Sequence, residues 1–392
     1  MIPVLDLFQI SSGPDAEREL GRLARRHPVI RTRQTGGTEA WTVLSAPLVR
    51  QLLADSRVSN ELHPHAPHAA QSPDGRTVLF EQDGSEHARY RKLVGAAFNS
   101  RAVRRLEARV VDIARRLLDR LGDAGTADFL EEFANPLPLE VICELLGVPV
   151  ADRAVFKDRV ENVDSPHSAV RQAALDAFLA YCGSLVEAKR GEPTEDLLSE
   201  LVTATFEDGT ALTDLELVGF CSVLLFAGHV TTAYAISSTL VELITHEDQL
   251  AALRADPAKL AAAAAEEGLR YRGSLLATTN RVALCDIEVG GVRIRRGELV
   301  RFLLSAANWD PAVRAAPDTF DIDRATPAHL AFGHGPHFCL GQRLARQEIT
   351  VALSEIATRF TTLELAVPRE ELRWRTSDSL RGLTGLPLRY GR

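Results

Sequence analysis

The stretch FGHGPHFCLGQRLARQEI, residues 332–349, presents one cysteine, Cys339, in a loop rich in glycine and histidine. Apolar residues recur at helical spacing after it, which predicts a helix from Leu340 onward. Free backbone N–H groups at a helix N-terminus favour the ionised form of a nearby thiol. Glycine permits backbone shapes and close approaches that other residues forbid, and the loop has three glycines: Gly333, Gly335 and Gly341. We therefore interpret this loop as one that presents a thiolate.

A thiolate held in this way has two chemical uses. It could act as a nucleophile, for which His334 or His337 would supply the base, or it could bind a metal ion. A lone cysteine is more often a small buried apolar residue, but the glycines and histidines around Cys339 weaken that reading. The residue types of the loop do not decide between nucleophile and metal ligand.

The composition limits the class of protein: of 392 residues, 45% are apolar, which is enough for a large core. The net charge of −8 argues against a nucleic-acid partner, because phosphate binding requires a basic face. The five cysteines are scattered and lack zinc-ligand spacing. The start of the sequence lacks a signal-peptide pattern, and no apolar run approaches the roughly 20 residues that span a bilayer. We expect a cytoplasmic protein that does not enter a membrane.

The pattern along the chain predicts a mainly α-helical fold with a small β region late in the sequence. Helical periodicity dominates up to about residue 272. Residues 213–257 open with a capping box, Thr213 and Glu216, and then run apolar on every side, which predicts a helix buried in the core. Short strands follow, with a tight hairpin at Gly290 and Gly291. Since no linker or repeat divides the chain, we predict a single domain, residues 1–392.

The ten residues FGHGPHFCLG, 332–341, resemble the haem-binding loop of the cytochrome P-450 family in almost every position. Four further stretches that resemble the family follow the family's order along the chain: DGSEHARYRKLVGAAF, AGHVTT, EEGLR and FDIDR. The resemblance implies the cytochrome P-450 fold. It also implies that Cys339 is the proximal ligand of a haem b iron, onto which a thiolate pushes electron density.

The resemblance assigns further residues to the haem. The haem propionates are carboxylates, and buried carboxylates need cations. By the resemblance, these cations come from His87, Arg91, Arg281 and His337. The resemblance also assigns three residues of the loop to cofactor binding: Phe332, Gly333 and Gly341.

A second group of residues is assigned a structural role. Glu267 and Arg270 are three residues apart on a predicted helix, which is an ordinary spacing for an ion pair and a weak signal alone. The resemblance adds Arg324 of the FDIDR stretch and implies a buried triad. We expect this triad to hold the segment that leads to Cys339, and we expect its loss to release the haem.

The AGHVTT stretch, residues 227–232, is assigned by the resemblance to the oxygen side of the haem, with Ala227, Gly228 and Thr231 as its catalytic residues. Gly228 would let the backbone pass close to a flat cofactor, although small residues can also merely pack helices together. Thr231 could bond a carbonyl one turn back and open the helix locally. The family usually has a proton-relaying acid before this threonine, and here the residue is Val230. Because valine carries no proton, water or a polar substrate would have to deliver it, or coupling would be poor.

The resemblance implies a monooxygenase that hydroxylates or epoxidises a small organic molecule in bacterial secondary metabolism, with the substrate either free or held on a carrier protein. No flavin or nicotinamide motif is found, so a ferredoxin and its reductase would supply electrons. Such carriers are acidic and need a basic face. The candidates near the thiolate are Arg89, Lys92, Arg101, Arg104, Arg343 and Arg346.

Two alternatives stay open. The first is peroxide-dependent, oxidative-coupling or non-hydroxylating chemistry on the same cofactor, for which Val230 is the support. The second is a non-enzymatic haem sensor, which the lack of an output domain disfavours. The substrate is not identified by the sequence, and we expect residues 60–82, 155–182 and 272–280 to line its pocket.

Overall fold

The computed structural model describes residues 4–13, 16–61, 81–98, 101–153, 168–325 and 328–392. Within them the α-helices are α1 (Leu7–Ser11), α2 (Ala16–Arg26), α3 (Ala46–Leu53), α4 (Gly84–Phe98), α5 (Arg101–Leu121), α6 (Pro136–Leu145), α7 (Ser168–Gly191), α8 (Leu197–Thr203), α9 (Asp214–Thr245), α10 (Glu247–Ala255), α11 (Pro257–Arg272), α12 (Leu304–Asn308) and α13 (Gln342–Arg359). A π-helical turn covers Leu130–Ala134, and 3-10 turns cover Val150–Asp152, Gly335–His337 and Arg369–Glu371.

The strands are short and belong to four sheets. They are β1 (Val4–Asp6), β2 (Val29–Arg33), β3 (Glu39–Val43), β4 (Val58–Ser59), β5 (Ala124–Asp128), β6 (Arg281–Ala283), β7 (Ile287–Val289), β8 (Val292–Ile294), β9 (Leu299–Phe302), β10 (Thr362–Leu365), β11 (Trp374–Thr376), β12 (Arg381–Leu383) and β13 (Pro387–Gly391). The predicted fold class, mainly α with a small β component, is confirmed.

Contacts within the chain define two compact units. The first unit comprises Met1–Leu62, Ala114–Ala134 and Thr231–Arg392, and the second comprises His63–Ile113 and Asn135–Val230. The strands described above all belong to the first unit. That the chain forms one domain stays a prediction.

The first unit is built around a six-stranded sheet with the strand order β1-β2-β3-β9-β6-β4. β3 and β9 run parallel, with Thr42 opposite Arg301, and β9 pairs antiparallel with β6. Apolar side chains from the sheet pack on α3 and on the segment before Cys339 in one core, whose fully buried members include Val43, Leu52, Val300, Phe302 and Leu330. The sheet therefore supports the segment from which the Cys339 loop departs.

The expectation that the β structure lies late in the chain was wrong for the main sheet. Four of its six strands, β1 to β4, come from the first 59 residues. These strands have two to five residues, so they scarcely interrupt a helical pattern that is read over longer windows. The predicted hairpin is confirmed: β7 and β8 are joined by Gly290 and Gly291, whose φ angles of 55° and 78° suit a two-residue turn.

The second unit is helical in the part of the chain that is described. Its helices α4, α5, α6, α7, α8 and α9 all contribute buried apolar residues, which include Val94, Val110, Val141, Phe178, Leu201 and Phe220. The predicted capping box at the start of α9 is confirmed. The Thr213 N–H donates to the Glu216 carboxylate at 2.7 Å, and the Glu216 N–H donates to the Thr213 hydroxyl at 3.3 Å.

Helix α9 is long and strongly apolar, and its two halves differ in burial. Residues 232–243 are all buried, as predicted, whereas Val223, Leu224 and Phe226 in the first half are half-buried. By length and composition α9 could cross a membrane, which corrects the expectation that no apolar stretch reaches that length. The core helix of a globular protein passes the same test. Because residues 232–243 are buried, we assign the apolar character of α9 to the core.

Candidate functional site

The loop that carries Cys339 is fixed by backbone hydrogen bonds and by two glycines. The Cys339 N–H donates to the Phe332 carbonyl oxygen at 3.0 Å, which closes the loop on itself. Gly333 and Gly335 have φ angles of 73° and 74°, a conformation that favours glycine. Cys339 is half-buried. The sequence thus folds into a rigid loop that presents a partly accessible sulfur.

Neighbouring elements anchor this loop on both sides. The Leu330 N–H donates to Oδ1 of Asn308, the last residue of α12, at 2.7 Å. The 3-10 turn Gly335–His337 lies against the end of α3, where a Cβ on Gly335 would be 2.9 Å from the Leu53 carbonyl oxygen. A larger residue at Gly335 would therefore be excluded both by its φ angle and by space.

The helix after Cys339 begins later than predicted. α13 starts at Gln342 with Gly341 as its N-cap, and Leu340 belongs to a turn. The prediction missed this boundary because Leu340 fits the apolar helical pattern, and pattern alone places helix ends poorly. Cys339 nevertheless lies three residues before the first residue of α13, so it precedes a helix N-terminus as predicted.

Glu267, Arg270 and Arg324 meet in the first unit. Arg270 donates to both carboxylate oxygens of Glu267 at 2.7 Å each, and the two side chains are 0% and 2% exposed. Nε of Arg324 donates to the same carboxylate at 3.3 Å. The two arginines also donate to backbone carbonyls of residues 315–319. The triad therefore ties α11 to the segment upstream of the Cys339 loop, while its effect on haem retention stays a prediction.

The segment held by the triad includes a strained residue. Ala316 has a φ of 43°, the only positive value at a non-glycine residue in the described part of the chain. Arg324 donates to the Ala316 carbonyl oxygen at 3.1 Å. Such a conformation costs about 1–3 kcal/mol and persists only where its surroundings enforce it.

A second carboxylate, Glu266, also fastens the Cys339 loop, and the sequence analysis missed it. Arg346 of α13 donates to Glu266 at 2.5 Å, and its guanidinium lies 4.4 Å from the centre of the Phe332 ring. His329 accepts the Ala331 N–H at Nδ1, so its Nε2 donates to Glu266 at 3.2 Å. Burial raises the pKa of Glu266, but hydrogen bonds from His329 and Arg346 outweigh this and leave it lowered. No local pattern in the sequence signals these contacts, because Glu266 and His329 are 63 residues apart.

A buried ionic network, also missed, lies elsewhere in the first unit. Arg272 donates to Glu17 at 3.1 Å and contacts Glu242, while Arg381 contacts Glu17. These four side chains are at most 5% exposed. Burial lowers the pKa of Arg272, but the two carboxylates outweigh it and raise the pKa above its usual value. The network joins α2 to the end of α11 and to β12.

Of the four residues predicted to bind the haem propionates, two lie in each unit. His87 and Arg91 lie one turn apart on α4 of the second unit, His87 buried and Arg91 half-buried. In the first unit, Arg281 on β6 is 5% exposed and His337 on the 3-10 turn is half-buried. Their contact with a haem stays a prediction.

The AGHVTT stretch lies in the middle of α9. A Cβ on Gly228 would lie 3.0 Å from Cδ1 of Ile142 in α6, so this glycine permits helix packing, the alternative that the sequence left open. The helix is continuous through Thr231, so the local opening expected there is not seen in α9. Ala227, Val230 and Thr231 are half-buried. The role of Ala227, Gly228 and Thr231 on the oxygen side of a haem stays a prediction.

Helix α13 carries a buried carboxyl, Glu348, that the sequence analysis did not single out. Glu348 is 3% exposed, and its Oε2 has no hydrogen-bond partner among the described residues. Burial raises its pKa well above the usual value. A carboxyl in this setting is protonated in the folded protein over a wider pH range than in water.

Several features of the first unit suit a haem. A Cβ on Gly341 would meet no atom within 4 Å, so the backbone beside the sulfur borders open space. The aromatic residues Phe332 and Phe338 of the loop are only half-buried. The first unit thus offers a partly accessible thiol as an iron ligand, apolar surface for a flat ring, and a buried cation, Arg281, for a carboxylate.

Residues 154–377 match the sequence profile described as Cytochrome P450. The chain is 39% identical, over 398 residues, to cytochrome P450 monooxygenase PikC of Streptomyces venezuelae, covering 100% of this chain and 95% of PikC. The chain belongs to the cytochrome P450 family. This P450 is an oxygen-dependent oxidoreductase that carries haem, as the sequence predicted.

Solved P450 structures share its fold along almost the whole length. CxnD, a P450 for C–S bond formation in chuangxinmycin biosynthesis, superposes with a TM-score of 0.91 at 35% identity, covering 100% of this chain and 99% of CxnD. P450BioI, solved in complex with an acyl carrier protein that bears hexadec-9Z-enoic acid, has a TM-score of 0.86 at 30% identity, covering 95% of this chain and 97% of P450BioI. The P450 fold predicted from the motifs is therefore confirmed.

Proposed function

We propose that this P450 binds haem b through Cys339 and oxygenates a small organic molecule of bacterial secondary metabolism. The observation that carries the proposal is the closed loop at Cys339, where two glycines with positive φ and a backbone hydrogen bond fix a half-buried thiol beside open space. The relationship to PikC, a monooxygenase, supports the reaction type.

The chain's own residues would serve a bound haem in three ways. Cys339 would supply the thiolate, and the cations His87, Arg91, Arg281 and His337 would neutralise the propionates. The Cys339 loop would be held against α11 by the triad Glu267, Arg270 and Arg324 and by Glu266. A thiolate-bound haem activates O₂ so that one oxygen atom enters the substrate and the other leaves as water, with electrons and protons supplied from outside.

Proton supply is the step at which this chain departs from its family. Val230 has no acidic or hydroxyl group, so the residues that could hold a proton near the middle of α9 are His229 and Thr231. We propose that the Thr231 hydroxyl and water, or a polar group of the substrate, deliver the protons.

We propose a ferredoxin as the electron donor and a cytoplasmic location. Several of the basic residues that the sequence suggested for the donor contact also pair with carboxylates of this chain. Arg89 donates to Asp208 at 2.7 Å and lies 3.8 Å from the centre of the Phe206 ring, and Lys92 pairs with Glu207. Arg346 is engaged by Glu266, whereas Arg343 is exposed. The side chains of Arg101 and Arg104 lie outside the described residues. Arg343, which is exposed at the start of α13, stays a candidate contact for an acidic donor.

The test of this proposal is the optical spectrum of the purified protein. Ferrous haem ligated by a thiolate gives a carbon monoxide complex whose Soret band lies at longer wavelength than that of an imidazole-ligated haem. We expect this band in the wild type and its replacement by the shorter-wavelength band in Cys339→His. A wild-type protein that binds no haem, or that shows the imidazole-type band, would contradict the proposal.

A second candidate function is oxidative bond formation without net hydroxylation. The structural likeness to CxnD, named for C–S bond formation, and the missing acid at Val230 both favour it. Substrates held on a carrier protein are a related option, since P450BioI was solved with an acyl carrier protein. Incubation with ¹⁸O₂ separates the chemistries, because hydroxylation places ¹⁸O in the product and oxidative coupling does not. Turnover on peroxide alone would indicate the peroxide-dependent alternative.

A further inference from the structure

Two segments of the first unit run side by side near the candidate site, residues 274–281 and residues 377–381. We call them the paired segments. The Leu276 N–H donates to the Ser379 carbonyl oxygen at 2.8 Å, and the Arg381 N–H donates to the Ser274 carbonyl oxygen at 2.9 Å. Leu275 and Leu380 form an isolated antiparallel bridge between them, and both leucines are half-buried.

Arg301 fastens the paired segments to the central sheet. It lies on β9, opposite Thr42 of β3. Its Nη2 donates to the carbonyl oxygens of Thr278 and Asp378, both at 2.7 Å, and to the Ser379 hydroxyl at 3.1 Å. One nitrogen of a sheet residue therefore contacts both segments at once.

The setting of Arg301 is costly for the fold. The residue is 1% exposed, and its Nε and Nη1 have no hydrogen-bond partner among the described residues. The nearby Asp378 carboxylate accepts the Thr35 N–H at 3.0 Å. Burial lowers the pKa of Arg301 to about 10, although Asp378 acts in the opposite direction. An apolar side chain of similar size often stabilises such a site more than an incompletely satisfied cation does. Stability alone is therefore a poor explanation for an arginine here.

The paired segments adjoin the Cys339 loop at one end and a proposed haem contact at the other. A Cβ on Gly273, which precedes the first segment, would lie 3.4 Å from Cβ of Ala331, the residue before Phe332. The same segment ends at Arg281, one of the proposed propionate cations. The leucines of the bridge, Leu275 and Leu380, are half-buried and so leave part of their apolar surface accessible.

We propose that Arg301 is a positioning residue that holds the paired segments as a rigid wall of the substrate pocket and thereby sets which ligands fit. This inference rests on the proposed function, because it takes residues 274–280 as part of the wall beside the haem. Arg301 touches no substrate itself. When the wall is rigid, a bulky ligand binds without a loss of conformational entropy in the wall. When the wall is loose, it must be ordered each time a ligand binds, which lowers the affinity.

The first test measures the wall directly by hydrogen exchange in the holoprotein. The variants are Arg301→Met, which keeps the length and removes the donors, and Arg301→Lys, which keeps a charged donor. We expect amide exchange in residues 274–281 and 377–381 to be faster by about tenfold in the methionine variant, equivalent to about 1.4 kcal/mol, and by less in the lysine variant. Exchange in α13 should not change.

The second test uses ligands that bind haem iron through nitrogen. Imidazole is small, whereas clotrimazole extends its aromatic rings to the pocket walls. For Arg301→Met we expect the affinity for clotrimazole, relative to imidazole, to fall about tenfold. We also expect the thiolate-type carbon monoxide spectrum and the urea midpoint to be retained. Arg301→Lys should recover part of the selectivity. The matched control is Arg293→Met, which alters an exposed arginine on β8 and should change none of these quantities.

The two tests distinguish a positioning role of Arg301 from a role in stability alone, and failure of this proposal from failure of the proposed function. Unchanged exchange in the paired segments, or a clotrimazole-to-imidazole ratio that stays within twofold of the wild type or rises, overturns the proposal. A lower urea midpoint with faster exchange throughout the first unit also overturns it, since Arg301 would then merely stabilise the fold. If the wild type binds no haem, the proposed function fails, and the role of Arg301 as the tie between the paired segments is judged by exchange in the protein as purified.

Discussion

Replacing Arg270 with alanine removes the main partner of the buried Glu267 carboxylate. Arg270 makes two hydrogen bonds of 2.7 Å to Glu267 and donates at 2.8 Å to the Pro317 carbonyl oxygen. Without it, Glu267 retains the Arg324 contact at 3.3 Å and the Asp321 N–H at 3.0 Å. A carboxylate that is almost wholly buried would then be incompletely neutralised.

The cost can be built up from these contacts. Removing one partner of a buried ion pair costs about 3–5 kcal/mol. The Pro317 carbonyl loses the Arg270 donor, which adds about 1–3 kcal/mol. The sum, about 4–8 kcal/mol, compares with about 5–15 kcal/mol for the whole stability of a folded domain. We therefore expect Arg270→Ala to lose most of its stability, and with it the fixed segment that leads to Cys339 and the bound haem.

Urea unfolding, followed by tryptophan fluorescence and by the haem absorbance, measures this loss. The matched control is Arg293→Ala, which removes a carboxylate-bound arginine from an exposed site, where its side chain is 62% exposed. Surface pairs contribute about 0–1 kcal/mol, so the control should be close to wild type. The double variant Arg270→Met, Glu267→Gln removes both charges and should recover part of the loss. An Arg270→Ala protein with full haem content and the control's urea midpoint would refute the reasoning.

Three further variants test other features. Gly335→Ala should destabilise the protein by about 1–3 kcal/mol or more and reduce the thiolate-type carbon monoxide band. Gly297→Ala is its control, because Gly297 also has a positive φ, 85°, but no atom near its Cβ position, so it measures backbone strain without the clash with Leu53. Equal urea midpoints for the two variants would show that the clash has no effect. Glu348→Gln should raise the urea midpoint, and by more at pH 8 than at pH 5. The folded protein binds a proton at Glu348 that the unfolded chain releases above its ordinary pKa, so wild-type stability falls as pH rises toward the raised value, by up to about 1.4 kcal/mol per pH unit. A pH-independent difference between Glu348→Gln and wild type would contradict this. Val230→Glu should raise the fraction of reducing equivalents recovered in product, with Val230→Ala as control, and unchanged coupling would show that wild type already relays protons efficiently.

Local motifs predicted the parts of the site that are close in sequence. Glu267 and Arg270 are neighbours on one helical face, and the resemblance placed Arg324 with them. The contacts that were missed join residues that are distant in sequence. Glu266 and His329, for example, are 63 residues apart. No local pattern signals such pairs, because they form only when the tertiary fold brings helices and loops together.

Two further differences show what a sequence pattern leaves undetermined. Leu340 satisfied the helical period, but the backbone turns there and the helix starts at Gln342. Gly228 was assigned to the oxygen side of the haem by the resemblance, which stays a prediction, and its Cβ position also faces Ile142, a packing contact that the pattern did not reveal. Periodicity and small size describe what a position tolerates, and only the packing of neighbours decides how it is used.

The order of strands in the main sheet bears on how the protein is synthesised. β1 to β4 leave the ribosome first, yet β3 and β4 pair with β9 and β6, which are translated more than two hundred residues later. At about 5–20 residues per second, the early strands wait roughly 10–50 s with open edges. The turn at Gly335, which packs on the early helix α3, is translated later still. Because the Cys339 loop is made after β6 and β9, we expect haem to bind late in synthesis or after it, and slower growth with ample chaperone should raise the yield of coloured protein more than stronger promoters do.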